Sequence, residues 1–244
     1  MKRILYLFLE LLLRLRYRIR KHHWQEIKRP RQGRGVLFLP NHPAEIDPVI
    51  LMLILRQKFD PSPVVVEDFY YTPGIHFIMK WLRAYPVPSI TGKSSTWARE
   101  RWEQSLSGIV ESLKAGHDVL MYPAGRLMRD EVENLRGASA LFQILQQMPE
   151  VDICLIRTRG LLGSSFSWLR QRKRPDFVKT ALFGIKALLL NGIFFMPRRR
   201  VEIEFVLNPP EFPARAPDKE TLNRWLDNWY NAPEPEKFDP GSYG

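Results

Sequence analysis

Apolar and polar stretches alternate along the chain in a way that sets out a layered fold. Residues 4–15 are apolar except for Glu10 and Arg14, and Arg16, Arg18, Arg20 and Lys21 follow at once. A spanning helix needs roughly 20 apolar residues. This shorter stretch predicts an amphipathic helix lying in a membrane interface, with leucines in the acyl layer and arginines among headgroups. Lys2-Arg3 ahead of the run imitates a signal peptide, yet no small-residue cleavage site follows it. Apolar runs at 36–39, 64–66, 119–122 and 151–157, an edge segment at 83–88 and the alternating 201–206 predict strands. Between them, 48–57, 75–82, 97–113, 137–148 and 222–230 carry helical patterns; Trp102, Leu106, Ile109 and Leu113 fall on one helical face. Strands alternating with helices predict an α/β layer architecture. Residues 177–196 are apolar but broken by Lys179, Gly184, Lys186 and Gly192, which argues against a clean span and makes them a candidate second membrane-touching helix. The expected organisation is a basic amphipathic membrane-interface segment (1–32), one α/β domain (33–231), and a Pro-rich, acidic flexible tail or linker (232–244).

Charge narrows the partners. The chain has 244 residues, enough for one substantial core, and a net charge of +11 that calls for a polyanionic partner or surface. Between 14 and 34 stand Arg14, Arg16, Arg18, Arg20, Lys21, Lys28, Arg29, Arg31 and Arg34 against the single acid Glu26. Beside a leucine-rich helix, that belt predicts an anionic membrane, at about 1 kcal/mol per cation near the surface. The expected placement is monotopic or peripheral, on the cytoplasmic face. No basic-aromatic module accompanies the cations, so nucleic acid is not expected. Cys154 lies in an apolar stretch and reads as a buried strand residue. No metal is expected, since His22, His23, His76 and His117 lack ligand-spaced partners. Thr91-Gly92-Lys93-Ser94-Ser95 lacks the spacing of a nucleotide-binding phosphate loop, which leaves Lys93 as a candidate phosphate contact.

Candidate chemistry begins where the run 36–39 meets Asn41-His42-Pro43-Ala44-Glu45-Ile46-Asp47. A histidine leaving a strand and an aspartate in the first turn of the next helix can pair, with the carboxylate holding one ring nitrogen while the other faces a cleft. The same residues also read as a plain turn with a helix start at Asp47-Pro48. Pro123-Ala124-Gly125-Arg126 forms a second loop at the carboxyl end of a strand, where ligands sit in open α/β sheets. Backbone amides near Ala124-Gly125 or Gly163-Ser164 are candidate oxyanion donors.

With both loops placed, the chain resembles the glycerolipid acyltransferase family of the lysophosphatidic acid acyltransferase type, as a diverged member. Asn41 to Asp47 matches that family's Asn-His-x4-Asp motif, and Tyr122-Pro123-Ala124-Gly125-Arg126 resembles its Phe-Pro-Glu-Gly-Thr-Arg; about 80 residues separate them, as in the family. The resemblance implies a mixed sheet flanked by helices and thioester-dependent O-acyl transfer. His42 would be the general base, Asp47 its orienting carboxylate, and Asn41, Gly125, Arg126, Arg129 and Lys93 the substrate-binding residues. No cofactor is implied beyond the acyl donor substrate, acyl-CoA or acyl carrier protein, and the acceptor would be a lysophospholipid or glycerol-phosphate-like hydroxyl. Two departures stand out. Ala124 replaces the motif glutamate, and the second-motif region at Ala84-Tyr85-Pro86-Val87-Pro88-Ser89 ends without an arginine. Both fall on the acceptor side, which implies an altered acceptor. The alternative is a catalytically impaired lipid-binding or scaffolding domain that retains the fold. Similar domains are joined to acyl-activating ligases in long bacterial chains, so a fused or associated ligase is a further expected partner.

Overall fold

A computed structural model describes residues 2–30, 33–88, 96–190, 192 and 197–240. The described elements, in chain order, are α1 (Lys2–Arg16), β1 (Tyr17–His22), β2 (Val36–Pro40), α2 (Asp47–Leu55), β3 (Ser62–Val66), α3 (Glu67–Tyr70), α4 (His76–Trp81), β4 (Tyr85–Val87), α5 (Thr96–Lys114), β5 (Val119–Leu120), α6 (Ala140–Gln147), β6 (Asp152–Arg159), α7 (Trp168–Gln171), α8 (Phe177–Leu190), β7 (Arg199–Leu207) and α9 (Lys219–Asn231). The strands form a seven-stranded sheet in the order β1-β7-β6-β2-β5-β3-β4. All neighbours run parallel except β6 and β7, so the sheet is mixed, as expected.

The period-two geometry of a strand sends successive side chains to opposite faces, and here each face seeds a core. Val36 and Phe38 of β2, Cys154 and Ile156 of β6 and Leu120 of β5 point toward α2, together with Leu13 of α1 and Phe177 and Ala181 of α8. Leu37, Leu39, Val119, Ile153 and Leu155 point the other way, toward α5, α6 and α9. Cys154 is fully buried, and burial pushes its thiol up to about 12. Gly35, just ahead of β2, has no room for a side chain, because a Cβ there would lie 1.8 Å from the carbonyl oxygen of His117.

Two expected boundaries change. The segment set apart as 1–32 contributes β1, whose register pairs Ile19 with Val201 and Lys21 with Ile203. Tyr17 is buried in the core and Ile19 packs on it, while Arg18 and Arg20 point to solvent. The arginines masked a strand pattern at sequence level. Arg29 donates to the buried carboxylate of Asp118 at 2.5 Å, and that carboxylate also accepts from the backbone of Val36 and Asp60. Part of the basic belt therefore belongs to the sheet domain. The tail, expected to be flexible from 232, is strapped to the domain through 240. The Glu236 carboxylate accepts from the amides of Gly160 and Leu162 at 2.7 and 3.0 Å, and Arg199 Nη2 donates to the carbonyl of Asp239 at 2.6 Å. Residues 241–244 lie outside the described residues.

Candidate active site

β2 ends at Pro40, the chain turns through 41–46, and α2 starts at Asp47 with Pro48 in its first turn. Proline suits that position because its missing N–H would have no helical acceptor there, and the helix N-terminus favours the Asp47 anion. The His42 ring donates from Nδ1 to an Asp47 carboxylate oxygen at 2.9 Å. The carboxylate also accepts from the backbone of Ala44 at 3.3 Å and from the hydroxyl of Tyr122. The Tyr122 ring lies against the imidazole, centroids 4.1 Å apart and planes tilted by 30°. Asp47 is wholly buried, whereas the His42 side chain keeps 14% of its surface in solvent. Nε2 has no hydrogen-bond partner among the described residues. With Nδ1 carrying the proton, Nε2 offers a lone pair to whatever enters.

The His42 backbone is held as firmly as its ring. Its carbonyl accepts from Met128 N–H at 2.8 Å, and its N–H donates to the buried carboxylate of Glu133 at 3.2 Å. Glu133 is fixed in turn by Asn231 at the end of α9, whose amide accepts from Glu133 N–H and donates to its carbonyl, both at 2.9 Å. Burial alone would lower the imidazole pKa, but the Asp47 carboxylate, with help from Glu45 and Glu133, outweighs it and raises the pKa above 6.5. Burial raises Asp47 against the bonds from His42, Tyr122 and Ala44. Burial, reinforced by the same carboxylate, keeps Tyr122 protonated well above its ordinary range, as a hydrogen-bond donor requires.

The loop after β5 carries the remaining candidates. Gly125 adopts φ +63°, a conformation that favours glycine, and its N–H closes a turn onto the Tyr122 carbonyl at 3.0 Å. The Ser164 amide is likewise spent on Leu161 at 3.0 Å. In each expected oxyanion pair this leaves the other amide, of Ala124 or Gly163, without an acceptor among the described residues. Arg126 donates to the carbonyl of Asn134 at 2.8 Å. Burial lowers its pKa, and so does the nearby positive charge of Arg136 and Arg129. Arg126, Arg129 and Arg136 line a small concavity with the acids Asp130 and Glu133 and with Met128; Met128 and Glu133 also hold the His42 backbone. Arg129 also lies 5.4 Å from the Trp168 ring.

Asn41, expected at the substrate, clamps β6, its Oδ1 accepting from Thr158 N–H at 2.7 Å and its Nδ2 donating to the Thr158 carbonyl at 3.0 Å. Its Nδ2 also lies 3.8 Å from the Met128 sulfur, and the second lone pair of Oδ1 is uncommitted among the described residues. The methyl of Ala124 packs on the α5–α6 side of the core. Lys93 lies outside the described residues. Sequence reasoning missed Tyr122 and Glu133 as neighbours of His42. For Tyr122 the signal was a tyrosine where the resembled motif has phenylalanine. For Glu133, ten residues beyond Pro123, there was none.

A family model described as Acyltransferase matches residues 18–157, which include most of β1, the His42–Asp47 turn, the arginine loop and most of β6. No curated protein matches. Among solved structures, the chain is similar to the crystal structure of the 1-acyl-sn-glycerophosphate (LPA) acyltransferase, PlsC, from Thermotoga maritima, with a TM-score of 0.54 and 14% identity over 89% of this chain and 74% of that one. At that identity the likeness speaks for the fold, and it agrees with the mixed sheet and flanking helices described above. The matched segment spans more than half of the chain and holds the paired histidine and aspartate, and on that ground the chain belongs to the acyltransferase family.

Proposed function

We propose that this acyltransferase moves a fatty acyl group from acyl-CoA or acyl carrier protein to the hydroxyl of a lysophospholipid or glycerol-phosphate-like acceptor, at the cytoplasmic face of a membrane. The observation that carries the reading is the His42–Asp47–Tyr122 cluster, which leaves Nε2 without a partner among the described residues. In this reading Nε2 takes the acceptor's hydroxyl proton, the resulting oxygen attacks the thioester carbonyl, and the imidazolium returns the proton to the departing thiolate. A positioned base of this kind contributes ~10²–10⁴-fold. Asp47 holds the Nδ1–H tautomer and stabilises the imidazolium, and Tyr122 holds Asp47. Arg126 and Arg129, joined by Arg136 in the same concavity, bind the acceptor phosphate, with Lys93 as a further contact. Asn41, beside the base, and Gly125, in the loop after β5, complete the proposed substrate-binding set. No cofactor takes part beyond the donor itself. The family membership and the named activity of the Thermotoga protein support a glycerophosphate-type acceptor.

The basic, leucine-bearing α1 supports a peripheral seat on anionic lipid, and among the described residues no helix is long and apolar enough to cross a membrane. An associated or fused acyl-activating ligase is the proposed source of donor. The competing reading, a lipid-binding scaffold without turnover, draws on Ala124, whose methyl offers no acid to the loop. Mass spectrometry of lipid products decides between them. The protein is incubated with a panel of lysolipids and with acyl-CoA or acyl carrier protein donors; an acylated product supports transfer, and no product with any pair supports the scaffold.

A further inference from the structure

Among the described residues, every exposed large apolar side chain except Val132 and Phe238 lies on α1, α8 or the 71–78 stretch leading through α4. These elements all cover the same side of the sheet. Tyr6 of α1 stacks on Trp81 of α4 with centroids 5.2 Å apart, Arg16 at the end of α1 donates to Pro197 beyond α8 at 2.7 Å, and Leu13 and Phe177 pack on one core. α8 carries apolar side chains on both its inner and its outer face. Its inner ridge of Phe177, Thr180 and Ala181 meets the protein. Val178, Leu182, Ile185 and Leu189, spaced four, three and four apart, share an outward stripe, and Leu182 and Phe183 are 59% and 66% exposed. A helix apolar on both faces is either buried or in contact with lipid.

We infer that α8 is a second bilayer-seating element, so that α1, α4 and α8 together rest one face of the sheet on an anionic membrane. This deepens, and rests on, the reading of the chain as an enzyme of lipid acceptors. The charge pattern selects the occupant. Exposed Lys179 and Lys186 line one edge of the apolar stripe, Arg172 and Lys173 precede the helix, and Arg14 and Arg18 flank the end of α1. Cations bordering an apolar face suit lipid phosphates over an acyl layer. In a second copy of this chain they would meet their own kind, in a molecule whose net charge is already +11. The 14 described residues of α8 are too few to span, which suits a seat in the interface.

The seat is wired to the candidate active site. Arg174, three residues before α8, donates to the Glu45 carboxylate at 2.6 Å. Glu45 N–H in turn donates to the Phe166 carbonyl at 3.0 Å, and the Phe166 ring packs on Phe177, the first residue of α8. Glu45 sits between His42 and Asp47. The catalytic turn is therefore held at the bilayer surface, where a lysolipid presents its headgroup without leaving the membrane.

The test is co-sedimentation of the full chain with phosphatidylcholine–phosphatidylglycerol vesicles, comparing wild type with the Leu182→Asp/Phe183→Asp/Leu189→Asp variant and, separately, with Leu7→Asp/Leu11→Asp. Thermal melting checks the fold, which these exposed positions leave intact. The expected result is a fall in vesicle partition of at least about tenfold for each variant, with transfer to a lysolipid dispersed below its micellar concentration unchanged. Partition undiminished in the α8 variant would overturn the inference. So would a stable wild-type dimer in lipid-free buffer that the α8 variant dissolves, since the face would then belong to a second copy. Vesicle binding is read without turnover, so a failure of the acyltransfer reading would show in the transfer assay alone.

Discussion

Replacing Asp47 by asparagine tests how the imidazole is prepared. The volume is conserved, but the Asp47 carboxylate accepts from three donors, His42 Nδ1, the Tyr122 hydroxyl and Ala44 N–H. An amide has one acceptor oxygen and a donating NH₂. With the oxygen kept on Tyr122, the NH₂ meets Ala44 N–H donor to donor and turns its other hydrogen toward Nδ1. The imidazole must then place its own proton on Nε2, and the base becomes a donor. The whole general-base contribution is at stake, ~10²–10⁴-fold, or about 2.7–5.4 kcal/mol of barrier at 1.36 kcal/mol per decade. The unmatched amide also costs about 1–3 kcal/mol of stability. The pH dependence has a definite sign. Because Asp47 and its acidic neighbours hold His42 above 6.5, wild-type kcat/KM should rise with pH to a midpoint above 6.5. In Asp47→Asn the charge is gone while the burial that lowers the imidazole pKa remains, so the midpoint should move down and the plateau should fall. The assay is kcat/KM for acyl transfer from a labelled thioester across pH 5 to 9, with a thermal melt to show that the variant is folded. A folded variant that keeps the wild-type plateau and midpoint would refute the pairing as the source of basicity.

Other consequences are smaller and separable. Tyr122→Phe keeps the ring on His42 but removes one hydrogen bond to a buried carboxylate, a type worth about 1.5–3 kcal/mol; kcat should drop about tenfold or more with KM little changed, measured by steady-state kinetics. Arg126→Ala and Arg129→Ala should each raise KM for a phosphate-bearing acceptor about tenfold, as loss of a charge-assisted contact would, while KM for the thioester stays put; equal effects on both substrates would remove them from the acceptor site. Glu236→Ala leaves the amides of Gly160 and Leu162 without their carboxylate, so thermal unfolding should show a loss of about 1–3 kcal/mol, and an unchanged melt would mean the strap contributes nothing.

What could be read from the residues alone followed sequence distance. His42 and Asp47 are five positions apart across a strand-to-helix turn, so local geometry suffices to pair them, and the alternating apolar runs place β2, β6 and the helices on either side. Tyr122 needed the knowledge that β5 lies beside β2, which brings its hydroxyl onto Asp47. Glu133 reaches His42 only because α9 pins its loop from almost 100 residues away. The strand β1 was hidden for a similar reason. Arg18, Arg20 and Lys21 look like a solvated run until β7, about 180 residues later, supplies its backbone partners. The strap at 232–240 has a Pro-rich composition that suggests a linker, and its order comes from long-range bonds to Arg159, Arg199 and the 160–162 amides.

The central claim is that His42 is the base. Its most direct measurement is transfer of a labelled acyl group from acyl-CoA or acyl carrier protein to a lysolipid on anionic vesicles, for wild type and His42→Ala at matched vesicle occupancy. The variant should melt and bind vesicles like wild type while losing transfer by ~10²-fold or more. Undiminished transfer by a folded, vesicle-bound His42→Ala protein would contradict it.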